Sequence, residues 1–190
     1  MAWALECDGV DDYLTTSISN DDDILKISAN IKFDVGTIEG DDRLVAFDPA
    51  GSCFIGFGTY RGKLRIFSRD NNGHFVALSS SSRVDTGEFI NGSENSETNV
   101  NSATYPTTLT SSVLMSQTAI SGRLEAQVST ISMTDTVTSA NSFFLDATAS
   151  DHNSTGAQPV LVDTIDGNNA VGVNFPTDGS AWVDLGGGVS

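Results

Sequence analysis

Apolar and polar residues alternate along this chain in short runs, and clusters of Gly, Asn, Asp and Ser divide one run from the next. A strand with one face in a core and the other in water imposes a period of two, so the pattern predicts strands joined by turns. Trp3, Leu5 and Cys7 share one side of a first strand, which ends at the turn dipeptide Asp8-Gly9, and Tyr13-Leu14-Thr15-Thr16 follows at once. After the acidic cluster Asp21-Asp22-Asp23 comes Ile27 to Phe33, with Ile27, Ile31 and Phe33 on one side. Arg43 to Phe47, Cys53 to Tyr60, Lys63 to Ser68 and His74 to Leu78 read as further strands. Their connections hold Pro49-Ala50-Gly51, Arg61-Gly62 and Asn71-Asn72-Gly73, the last two short enough for hairpins.

From Ser79 to Ser112 the chain turns polar and aperiodic, which predicts loop. About 30 residues of structureless loop is foreign to a compact domain, so one strand is expected inside it, around Glu88 to Ile90. Alternation resumes at Val113-Leu114-Met115 and in the longest candidate strand, Arg123 to Met133. There Leu124, Ala126, Val128, Thr130 and Ser132 fall on one side, and Glu125, Gln127, Ser129, Ile131 and Met133 on the other. Phe143 to Leu145, Pro159 to Val162 and Ala181 to Leu185 complete the set. Helical spacing is nowhere sustained, and many short strands with no helix between them predict an all-β antiparallel sandwich or barrel. A chain of 190 residues fits one domain, taken here as 1–185, with a flexible Gly-rich tail over 186–190. At this length folding buries roughly 70% of the unfolded surface, so neither a metal nor a disulfide framework is required.

Charge narrows the partners. Asp and Glu number 25 against 9 Lys and Arg, a formal net charge of -16. Phosphate backbones and anionic bilayers are bound by Lys and Arg, so neither nucleic acid nor a membrane surface is an expected partner. Ser and Thr together make 43 of the 190 residues, in place of the Glu and Lys that pave helical proteins. No apolar run reaches the roughly 18 residues of a membrane span. The segment Met1 to Glu6 lacks the basic and apolar regions of a secretory signal, so synthesis is expected to end in the cytoplasm. Cys7 and Cys53 are accordingly expected as reduced, half-buried thiols. The two histidines, His74 and His152, have no ligand neighbour at zinc spacing.

The run Ala4-Leu5-Glu6-Cys7-Asp8-Gly9-Val10-Asp11-Asp12-Tyr13-Leu14 resembles the opening of laminin G-like jelly rolls in the concanavalin A-like lectin/glucanase superfamily. Such domains begin with an apolar strand running into Phe-Asp-Gly-Val-Asp-Asp-Tyr-Val, and here Cys7 stands where the aromatic usually sits. Ile27 to Phe33 and the hairpin strand Gly62-Lys63-Leu64-Arg65-Ile66 are similar to early strands of that family. Beyond residue 80 the match weakens. Near the end, Asp163 to Ala170 and Asn174 to Trp182 resemble the closing segment of standalone versions found in bacteriophage virion proteins. The resemblance implies a jelly roll and a place in a virion.

The candidate chemistry is sparse. The turn Asp8-Gly9-Val10-Asp11-Asp12 has hard oxygens that can ligate calcium, but Asp also closes turns by accepting backbone N–H groups two residues on, and that reading is preferred. Asp21-Asp22-Asp23 reads as a solvated loop, and Asp70-Asn71-Asn72-Gly73 as turn chemistry. Glycosidases of the superfamily carry paired carboxylates on one strand. The nearest approach here is Glu88, Glu94 and Glu97 in a Ser/Asn-rich stretch that offers no rigid fixing. Neither a serine-nucleophile motif nor a phosphate loop occurs. Tyr60, Tyr105 and Trp182 are the aromatics that could stack on a sugar; each also suits a core or strand pair, burial is preferred for Trp182, and Tyr105-Pro106 in the polar stretch is the best placed for exposure. No catalytic residue, cofactor or metal is assigned. The expectation is a non-enzymatic virion structural protein, most simply a capsid decoration protein made in the host cytoplasm. Its partner would be a lattice of major capsid protein or another virion protein, with a homo-oligomer and a glycan left open. The alternative is a carbohydrate-binding module acting as a tail or cell-surface adhesin.

Overall fold

The computed structural model describes residues 2–16, 25–34, 41–47, 54–69, 75–95, 112–114, 116–118, 121–123, 125–135 and 141–186. In chain order the strands are β1 (Trp3–Asp8), β2 (Tyr13–Thr16), β3 (Leu25–Phe33), β4 (Asp41–Phe47), β5 (Phe54–Tyr60), β6 (Lys63–Arg69), β7 (Phe75–Arg83) and β8 (Phe89–Asn95). They continue with β9 (Ser112–Leu114), β10 (Ser116–Thr118), β11 (Ser121–Arg123), β12 (Glu125–Asp135), β13 (Asn141–Asp146), β14 (Val160–Asp163), β15 (Ala170–Val173) and β16 (Trp182–Asp184). A single 3-10 turn, Ala147–Ala149, is the helical content of the described residues, and none of their helices is long and apolar enough to cross a membrane.

The chain is an antiparallel β-sandwich. In one sheet β12 is central: β3 pairs along nearly its whole length, and β8 lies outside β3. The other edge of β12 is shared, its first half taken by β1 (Cys7↔Ala126) and its second by β13 (Ile131↔Leu145), with β16 outside β1. The second sheet runs β14-β15-β2-β9-β4-β5-β6-β7. Strand β14 belongs to both, pairing β13 through Val162 and β15 through Val160. Between the sheets Leu5, Leu14, Ile31, Phe33, Val128, Phe143, Leu145 and Leu161 are fully buried. Each such side chain removed from water is worth about 1.5–3 kcal/mol, which makes this layer the main stabilising term.

Three readings of the sequence change here. The regular alternation expected over Arg123 to Met133 is broken: the register against β3 shifts between Val128 and Thr130, a bulge at Ser129. Ala126 and Val128 are buried before it and Ile131 after it, opposite Ala29, whereas Thr130 and Ser132 are only half-buried. The serine run Ser79 to Ser82 is strand, not loop. The Ser80 hydroxyl takes a hydrogen bond from the Leu64 N–H (3.2 Å) and gives one to the Ser82 carbonyl (2.8 Å), replacing ladder bonds where the β6–β7 register slips. Finally, β10, β11 and β15 were not expected. Strand β15 contains Gly172, where a Cβ would stand 2.8 Å from the Phe175 ring and 2.9 Å from Pro159, so close packing selects a residue with no β propensity. The strand expected around Glu88 to Ile90 is β8. Asp21 to Asp23, Pro49 to Gly51, Cys53, Asp70 to His74, Glu97, Tyr105 and the tail beyond Gly186 lie outside the described residues.

Candidate functional site

The loops around the β1–β16 edge and the β14–β15 corner hold most of the described polar chemistry, and one device recurs in them. Asp8, Asp146, Asp151, Asp163, Asp178 and Asp184 each accept, through Oδ1, the backbone N–H two residues on, at 2.7–3.1 Å. This is the turn that Asp closes most readily, and it fixes a loop without burying apolar surface. Asp163 goes further. Its buried carboxylate also accepts N–H groups from Phe144 (3.0 Å), Asp166 (3.3 Å) and Asn168 (3.1 Å), gathering the β14–β15 loop around one anion.

In the acidic turn after β1, one ligand oxygen each from Asp8, Asp11 and Asp12 lies within 4.8 Å of the others. Asp8 and Asp11 are exposed and Asp12 is buried. Besides holding Val10, Asp8 Oδ1 is 3.4 Å from the Asp11 N–H, and Asp12 Oδ2 accepts the Asp8 N–H at 3.2 Å. The carboxylates thus serve the turn itself. Gly9, at φ +73°, makes the close approach to Glu125 on which the turn depends. Just behind it Cys7 is a free, fully buried thiol rather than a half-buried one. Burial pushes its pKa well up, and the neighbouring Asp12, Asp8 and Glu6 add to the effect.

Beyond β13 the chain builds an aromatic stack. The His152 ring lies parallel to Trp3 (centroids 4.1 Å apart, 11° between planes) and edge-on to Trp182 (5.0 Å, 84°). Its Nε2 donates to the Ala147 carbonyl at 2.6 Å. A cleft of about 180 Å³ opens beside Trp182, walled by Ala157, Pro159, Val160, Val162 and Pro176 and rimmed by Asp151, Ser154 and Gln158. Two loops frame it and are tied together where the Gly156 N–H reaches the Thr177 carbonyl at 2.6 Å. Gln158 spends its amide on the Phe175 backbone, giving to the carbonyl (3.1 Å) and accepting from the N–H (2.9 Å). The Ser154 hydroxyl donates to Asp151 Oδ2 at 2.5 Å. Hydrogen bonds from Ser154 and the Asn153 N–H hold the Asp151 carboxyl below the usual range, and Ser180 does the same for Asp178.

The other candidate residues are scattered. Tyr60 sits at the β5–β6 turn with the Arg65 and Arg61 guanidinium groups 4.4 and 5.1 Å from its ring centre, a face already occupied by cations. Trp182 is buried at 9% exposure, with the cleft as its outlet. Glu88 is exposed just before β8 and Glu94 lies near that strand's far end. Their separation is roughly 20 Å of extended chain, against the ~5 to 9.5 Å of a glycosidase pair. Sequence reading missed Asp151 and Gln158: an Asp two residues before an Asn reads as an ordinary loop, and nothing local shows a glutamine bridging to residue 175. No protein-family model and no curated protein matches the sequence.

Proposed function

We propose that the chain is a non-enzymatic structural protein of a virion, a decoration protein seated on a capsid surface and built on a laminin G-like jelly roll. The likeness of the opening turn to laminin G-like jelly rolls, and of the closing segment to standalone phage virion versions, motivates the reading. The observation that carries it is the set of Asp-closed turns at Asp8, Asp146, Asp151, Asp163, Asp178 and Asp184. Loops already fixed by their own hydrogen bonds lose little entropy on docking, which is what a protein making many modest contacts to a rigid lattice requires. The test is cosedimentation of the purified chain with capsids assembled from the major capsid protein of the same genome. Saturable attachment at a copy number set by capsid symmetry is expected. Failure to sediment, together with retention on a glycan array, selects the adhesin reading. Release of sugar from β-glucans that is abolished by Glu88→Gln overturns the non-enzymatic one.

A further inference from the structure

The cleft beside Trp182 carries a chemistry that the function above does not specify. Its volume, about 180 Å³, is below the roughly 300–1,000 Å³ of small-molecule sites and suits a single side chain. Its walls are apolar: Ala157, Pro159, Val160, Val162, Pro176 and the Trp182 ring. Gln158 and Ser154 on the rim already spend hydrogen-bonding groups on Phe175 and Asp151. Gln158 keeps one amide N–H and Ser154 its oxygen lone pairs, but the one charged group on the rim is the exposed Asp151 carboxylate, whose oxygens accept from Asn153 and Ser154 and retain further lone pairs. A single anion above apolar walls is poorly matched to a sugar, whose hydroxyls call for several polar partners along its length. It matches an apolar stem with a cationic head. Nothing in its own segment supplies that cation, because residues 124–190 contain eight Asp and Glu and no Lys or Arg.

We infer that this cleft receives an arginine or lysine side chain of the protein partner, the stem lying along Val160, Val162 and Pro176, the head between Trp182 and Asp151. Long cationic side chains bury their stems on apolar surface while the head stays at the rim, and an indole beside the head adds a cation–π attraction. Hydrogen bonds from Ser154 and Asn153 keep Asp151 ionised to lower pH than an ordinary carboxylate. The identification of the host molecule as a protein rests on the decoration reading; the chemistry of the slot does not.

The test therefore uses no capsid at first. The purified chain is titrated with Nα-acetyl-arginine amide and with its neutral isostere, Nα-acetyl-citrulline amide, following indole fluorescence and backbone amide shifts at residues 151–160 and 176–182. The arginine compound is expected to perturb these residues saturably, the citrulline compound not, and Asp151→Asn to weaken binding about fivefold. Asp166→Asn removes an equal charge from another loop and is expected to leave binding unchanged. Equal response to both compounds, no response, or equal loss in both variants overturns the inference. Cosedimentation of the Asp151→Asn protein then separates the two readings. Arginine binding without any capsid attachment by the parent chain sinks the decoration role and leaves the slot standing.

Discussion

Gly9 shows how much one residue settles here. At φ +73° a Cβ would be strained, and it would stand 2.8 Å from Glu125 Cβ, nearer than carbon atoms pack. Gly9→Ala is expected to cost about 2–3 kcal/mol in urea unfolding, whereas Gly156→Ala, at φ +81° with open space around it, costs about 1 kcal/mol. Asp163→Ala strands the N–H groups its carboxylate holds and is expected to cost about 3 kcal/mol, with Asp166→Ala changing stability by less than about 0.5. Cys7 adds a pH dependence. Its raised pKa means that the unfolded thiol ionises first as pH rises past 9.0, so this contribution is intact at neutral pH and lost on the alkaline side. Chemical unfolding at about pH 10 should show a loss that Cys7→Ala reduces, and in the Cys53→Ser protein a thiol reagent should reach Cys7 only on unfolding. The Gly9 turn was legible because Asp-Gly has a conformational meaning of its own. Asp151 and Gln158 were not, since their roles depend on chain 17 to 31 residues away in Phe175 and Trp182.

At the scale of elements, the bulge at Ser129 decides which face of β12 is buried. The strand spans both halves of one sheet, beside β1 first and β13 second, and the extra residue lets Val128 and Ile131 both point inward. Deleting Ser129 restores strict alternation with Val128 and Ile131 still inward, whereas inserting an alanine between Thr130 and Ile131 carries Ile131 to the outside, because a one-residue slip reverses every side chain beyond it. The insertion is expected to cost about 3 kcal/mol or more by calorimetry, while Ser129→Ala changes stability by under about 1 kcal/mol. Strand existence was legible wherever polar and apolar residues alternate, as in β1, β3, β5 and β6. The bulge was not, because Thr130 and Ser132 tolerate either face. The serines of β7 escaped notice because their hydroxyls stand in for main-chain partners that only the neighbouring strand reveals.

Across the whole molecule charge is unevenly dealt. All nine Lys and Arg fall between Lys26 and Arg123, so β1, the turn after it and everything from β12 onward hold acids with no Lys or Arg among them. The acidic strands assemble with one another, β1 beside β12 and β16. The resulting self-repulsion predicts that melting temperature rises as salt goes from about 10 mM to about 150 mM, where the screening length falls from ~30 to ~8 Å. A flat or falling curve would contradict it. That same pairing scheme also sets a timetable for synthesis. Strand β1 is translated well before its partners, residues 125–128 and 182–184. One edge must wait until Glu125 to Val128 have been made and the other until Trp182 to Asp184, and such long-range closure is slow and exposed to wrong partners. A translation product stopped before Trp182 leaves one edge of β1 open to any neighbouring nascent chain, so premature termination at that point should yield aggregate rather than a slightly shorter protein.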